Sequence, residues 1–146
     1  MIQRIQTLFL LLAVLSIGGL AVLPFLSSSQ AASQSGFFSD GIYDVHDHIS
    51  FLVIFSLAAV LALVSLFSYS TRKRQLQLNT WSRWLVLAGF AVVFALLFIN
   101  DAAVLSAGFT PGAGLLMPPA FWIFSILASR NIQKDENLIK SMDRLR

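Results

Sequence analysis

Residues 49–69 form a run of about 21 residues without a charge, and the segment after it, Thr71 to Arg83, is polar and basic. A run of that length crosses roughly 30 Å of hydrocarbon as a helix rising about 1.5 Å per residue. Cationic residues beside a span are held on the cytoplasmic side, so Arg72, Lys73, Arg74 and Arg83 fix the orientation of the apolar runs around them. Only 12% of the chain is charged, 57% is hydrophobic and the mean hydropathy is +0.78. A water-soluble domain carries about 25% charged residues, so that class is excluded.

Three further apolar runs accompany the first. Leu8 to Leu26 is interrupted only by Ser16, Gly18, Gly19 and Pro24. With Arg4 before it and Ser29-Gln-Ala31 after it, this run has a rival reading as a signal peptide. Its length exceeds the roughly 7 to 15 residues of such a core, so a first span is expected. Trp84 to Ser129 holds enough residues for two spans of about 20 joined by a tight turn. Phe109-Thr-Pro-Gly-Ala-Gly114 has the composition for that turn, which carries the third helix past Asn100 and Asp101 to near Ser106. The expected fold is an all-α, integral membrane four-helix bundle, a single domain over 1–146. Its spans are expected near 5–26, 49–69, 84–105 and 112–129, followed by a short amphipathic cytoplasmic helix in the tail, 130–146.

Small residues supply the expected packing faces: Ala58, Ala62 and Ser65 on the second helix and Ala88, Ala91 and Ala95 on the third, facing each other or Gly18 and Gly19 of the first. Trp81 and Trp84 read as interfacial anchors, as do Phe37, Phe38 and Tyr43 at the other boundary. Asp40-Gly41 reads as a turn. Pro118-Pro119 removes two amide donors and forces either a kink or a late start of the fourth helix. All ten cations, from Arg4 to Arg146, fall on the side holding both termini and the basic segment, so the topology reads N-in and C-in.

Chemistry-bearing residues are few. The densest set is Asp44-Val-His-Asp-His48, whose Asp44, His46, Asp47 and His48 offer carboxylate and imidazole ligands to a divalent metal. The alternative is that Asp44 or Asp47 caps the second helix and the histidines are solvated. Asn100 and Asp101 form a polar pair expected in the outer leaflet, either functional or simply reaching headgroup water. With no cysteine, and no phosphate loop or Ser-His-Asp set, no cofactor and no enzyme chemistry is expected. The cations lie beside apolar runs rather than on a soluble basic face, so nucleic acid is not an expected partner. Arg72, Lys73, Arg74, Lys134, Lys140, Arg144 and Arg146 instead suit anionic lipid or a protein partner, and Leu138, Met142 and Leu145 give the tail an apolar stripe that needs covering.

The start Met1-Ile-Gln-Arg-Ile-Gln-Thr7, the segment Arg72-Lys-Arg-Gln-Leu-Gln-Leu78 and the end Lys134-Asp-Glu-Asn-Leu-Ile-Lys-Ser-Met-Asp-Arg-Leu-Arg146 resemble a domain-of-unknown-function family of small four-helix membrane proteins from Bacteroidetes-type bacteria. The resemblance implies a Gram-negative inner-membrane protein and brings no catalytic residues. Its motifs all lie on the cytoplasmic side, so the function expected is a non-enzymatic accessory or scaffolding subunit that engages a partner or anionic lipid there. The outer Asp44 to His48 cluster is the alternative, as a metal- or ligand-binding face.

Overall fold

A computed structural model describes residues 2–27, 40–100 and 110–143. Among them are four α-helices: α1 (Ile2–Gly19), α2 (Ile49–Phe67), α3 (Arg72–Asn100) and α4 (Met117–Asp143). A 3-10 turn, Ala113–Leu116, leads into α4. Three two-residue strands, β1 (Leu26–Ser27), β2 (Ile42–Tyr43) and β3 (Thr110–Pro111), add a small element that an all-α reading does not contain. They pair antiparallel in the order β2-β1-β3, with Leu26 opposite both Tyr43 and Pro111.

Each helix buries residues at alternating spacings of four and three. In α1 and just beyond it these are Gln6, Leu10, Ala13, Ile17 and Leu20, and in α2 Phe51, Phe55, Ala58, Ala62 and Ser65. In α3 they are Gln75, Asn79, Ser82, Val86, Gly89 and Val93; in α4, Pro118, Phe121, Ser125, Ala128, Ile132 and Asp135. A seam repeating about every 3.5 residues is what nearly parallel helices of a bundle require. α1 packs chiefly on α4 and α2 chiefly on α3.

Several boundaries differ from the sequence expectation. α1 stops at Gly19, and Leu20 to Val22 continue only through tight turns from Ile17, Gly18 and Gly19 before Pro24 ends any helical path. Its apolar part, Ile5–Gly19, is short, and three rather than four of the described helices are long and apolar enough to cross a membrane. Pro118 and Pro119 occupy the first turn of α4, where missing amide donors cost nothing, so the prolines start the helix without kinking it. α4 then continues unbroken to Asp143, and no separate tail helix exists within the described residues.

The basic segment shows the largest difference. It is the first half of α3 and not a loop. Ser65 Oγ donates to the Gln75 carbonyl at 3.0 Å and Ser82 Oγ to the Ala58 carbonyl at 2.8 Å, so residues 72–83 lie antiparallel beside the second half of α2. Of the two small-residue stripes, Ala58, Ala62 and Ser65 are buried, but Ala88, Ala91 and Ala95 face outward. α3 is turned so that Val86, Val93 and Leu97 bury more apolar area than alanines offer. Gly89 makes the close approach instead, since a Cβ there would sit 2.9 Å from Ile54 and 3.1 Å from Phe55.

Candidate functional site

The shared seam divides the core into two ends. Around the strands it is aromatic: Phe25, Tyr43 and Phe51 are fully buried, with the Tyr43 and Phe51 rings edge to face at 5.8 Å. Tyr43 is therefore no interfacial anchor. Its hydroxyl donates to the Val93 carbonyl at 2.9 Å.

Toward the basic end the same seam turns polar. Asn79 Nδ2 donates to the Ser125 carbonyl and to Ser129 Oγ, both at 2.9 Å, while Ser125 Oγ donates back to Asn79 Oδ1 at 2.7 Å. One turn further, Gln6 Nε2 donates to a buried Asp135 carboxylate and to the Asn131 carbonyl. Asp135 Oδ1 and Arg72 Nη1 are buried without a hydrogen-bond partner among the described residues. Arg72 and Gln6 line one cavity of about 290 Å³, with Tyr69 and Gln75. Sequence reasoning assigned Asp135 to a polar tail and gave Gln6 and Asn79 no role. Extending the four-three spacing of α4 beyond Ser129 would have placed Asp135 in the core.

A second cavity, about 400 Å³, lies between α3 and α4 beside Arg83, Trp81, Trp84, Ser129 and Gln133. Arg83 is the twelfth residue of α3, about 17 Å from its start. The sequence reading placed it outside the spans, because the start of α3 was expected at Trp84.

At the opposite end, Asp44, His46, Asp47 and His48 lie close together before α2, and three of them accept hydrogen bonds from nearby backbone amides. His48 caps α2, its Nδ1 accepting from the Ser50 amide at 3.2 Å, in place of the aspartates expected there. Asp47 Oδ2 accepts from the Asp44 amide at 2.5 Å, and Asp44 Oδ1 from the His46 amide at 2.6 Å, with His46 Nδ1 3.4 Å away. Among the described residues no three His, Asp or Glu side chains converge as a metal would need. Asp40-Gly41 is the expected turn, with Gly41 at φ 78° and Asp40 Oδ1 accepting from the Ile42 amide. The side chain of Asn100, together with Asp101, Phe37, Phe38, Ser106 and Phe109, lies outside the described residues, as do the side chains of Lys140 and Met142, and Arg144, Leu145 and Arg146.

Burial pushes the Asp47 carboxyl up to about 6, outweighing the Asp44 amide that favours the charged form; nearby Asp44 and Asp40 push the same way as burial. The folded state thus prefers protonated Asp47. That stability is complete below the unfolded value of about 3.9 and is lost as pH rises through about 6. Melting temperature is expected to fall from about pH 4 to pH 7, and Asp47→Asn should flatten that slope in thermal denaturation. An unchanged slope in the variant would refute the assignment.

Among the described residues, four helices around a partly polar seam, three of them of a length and composition compatible with membrane spans, define a helical protein of the kind that associates with membranes. The match to one family model runs over residues 2–145, and the chain belongs to that family, the Domain of unknown function DUF4293. No curated protein matches the chain, and no solved structure does.

Proposed function

We propose that this chain is a non-catalytic accessory or scaffolding subunit of a bacterial inner membrane, with both termini cytoplasmic, that docks a protein partner on its basic end. The observation that carries the reading is the continuity of α4. Ile132 and Asp135 remain in the core while Leu138 and Ile139, 46% and 42% exposed, project from the same rigid helix. At about 40 Å, α4 is longer than the roughly 30 Å a bilayer core needs, so its charged end stands clear as a firm platform. Lys73, Arg74, Arg130 and Lys134 are exposed at this end, giving an apolar patch a cationic rim.

The test is gentle-detergent purification of tagged full-length chain from its native membrane, with mass spectrometry of what remains bound. A stoichiometric partner is expected, and Leu138→Glu with Ile139→Glu should reduce its recovery at least about tenfold, the loss of about 1.4 kcal/mol. The melting temperature should stay unchanged, since both positions are exposed. An identical set of co-purifying proteins from variant and wild type would sink the proposal.

A further inference from the structure

Arg83 occupies an unusual level in the bundle. It is the last charge of the polar first part of α3, and the uncharged stretch 84–99 begins at the next residue. A cation at such a level is costly unless it reaches water or a counter-charge. Arg83 Nη2 donates to Thr80 Oγ1 at 3.1 Å, but that hydroxyl is neutral and is itself given to the Leu76 carbonyl at 2.8 Å. Among the described residues no carboxylate forms an ion pair with Arg83.

The adjacent groove supplies the rest of an anion site. Ser129 Oγ accepts from Asn79, which leaves its own proton to donate, and Gln133 adds an amide. Trp81 and Trp84, 66% and 59% exposed, form aromatic walls, and the surface continues through exposed Leu87. A phosphate suits the polar floor, since a guanidinium fork binds it in a charge-assisted, bidentate manner. The apolar walls suit a ligand that carries its own hydrocarbon, and basic clefts between membrane helices take phospholipid headgroups. At about 400 Å³ the groove falls within the size range of ligand sites.

We propose that the α3–α4 groove binds one anionic phospholipid, its phosphodiester held by Arg83, Ser129 and Gln133 and an acyl chain laid against Trp84. The proposal rests on the membrane reading of the helices and is independent of any protein partner. All three tryptophans of the chain report on it: Trp81 and Trp84 line the groove, and Trp122 Nε1 donates to the Arg83 carbonyl at 3.2 Å.

The experiment is tryptophan quenching of full-length protein in phosphatidylcholine vesicles, using brominated-chain phosphatidylglycerol or brominated phosphatidylcholine as the added lipid. Brominated phosphatidylglycerol is expected to reach half-quenching at about tenfold lower mole fraction, a difference of about 1.4 kcal/mol. Arg83→Gln should erase that difference while quenching by phosphatidylcholine persists, and Gln133→Leu, at an exposed position, should reduce it about threefold. Ser56→Ala, at an exposed position on α2 and outside the groove, should leave it within about twofold. Equal quenching by the two lipids in wild type, or a preference retained in both groove variants, overturns the site. Absence of quenching by either lipid, with protein that fails to float with the vesicles, overturns the membrane reading and the site with it.

Discussion

Gly114→Val and Gly112→Val are expected to be among the most destabilising single changes in this chain, each lowering stability by about 3 kcal/mol, the upper part of the range for overpacking. Gly112 donates its amide to the Phe25 carbonyl and Gly114 to the Pro24 carbonyl, both at 2.9 Å, drawing the turn before α4 flat against the chain leaving α1. A Cβ at Gly112 would collide with the Pro24 carbonyl oxygen, and one at Gly114 with the Leu23 and Pro24 carbonyl oxygens. Those neighbours are backbone, so no rotamer change relieves the clash. Opening the turn would also cost the β1–β3 pairing and the seating of fully buried Phe25. With total stability of about 5–15 kcal/mol, a loss of this size is a large fraction. Thermal denaturation of purified full-length variants measures it, with Gly18→Ala as control. A Cβ at Gly18 meets nothing within 4 Å, and alanine favours helix by up to about 1 kcal/mol, so that variant should be neutral or slightly stabilised. Valine variants that melt with the wild type would show that the two segments do not pack this closely.

That residues 110–114 interrupt the helical path was legible in their Thr-Pro-Gly-Ala-Gly composition. Why this stretch takes glycines at 112 and 114 was not legible, because the atoms they accommodate belong to Leu23 and Pro24, far away in sequence. A related contrast separates the helices. In α2 every residue of the seam is apolar or small, and the stripe of Ala58, Ala62 and Ser65 could be read from spacing alone. In α3 the seam begins with Gln75, Asn79 and Ser82, residues that hydropathy assigns to solvent, so the helix was expected to start where its apolar part starts. Only a partner helix satisfying those side chains makes them core, and local sequence does not display its partners. That displacement of the boundary by twelve residues hid the groove as well, since it put Arg83 outside a helix that in fact carries it into the bundle. The Asp44 to His48 cluster takes part in local capping that its composition alone did not specify. Asp44, Asp47 and His48 accept backbone amides two or three residues away, a local bonding pattern that short polar side chains adopt readily.

Asn79→Ala is expected to cost about 3 kcal/mol and to do so mainly by leaving groups on α4 unsatisfied. Asn79 is fully buried and joins α3 to α4 through three hydrogen bonds, two to Ser125 and one to Ser129. Removing it leaves the buried Ser125 hydroxyl without its acceptor and takes a donor from Ser129. A buried group deprived of its partner costs about 1–3 kcal/mol, more than the net gain of the bond it replaces. Water cannot easily compensate at this depth, because Phe121 and Ala128, neighbours of Ser125 on the α4 seam, are 0% exposed. Ser125→Ala removes one bond and leaves the buried Asn79 Oδ1 without its donor, while the backbone bond from Asn79 stays, so about 1–2 kcal/mol is expected. The double variant should be more stable than the sum of the two losses predicts, with a coupling of about 1–2 kcal/mol, because deleting Asn79 no longer strands a hydroxyl at 125. Thermal or denaturant unfolding of wild type, both single variants and the double variant provides the cycle. Additive losses would mean that Asn79 and Ser125 act separately, and the polar seam would then be a row of individually satisfied groups instead of the connected lock between α3 and α4 that holds the walls of the Arg83 groove in place.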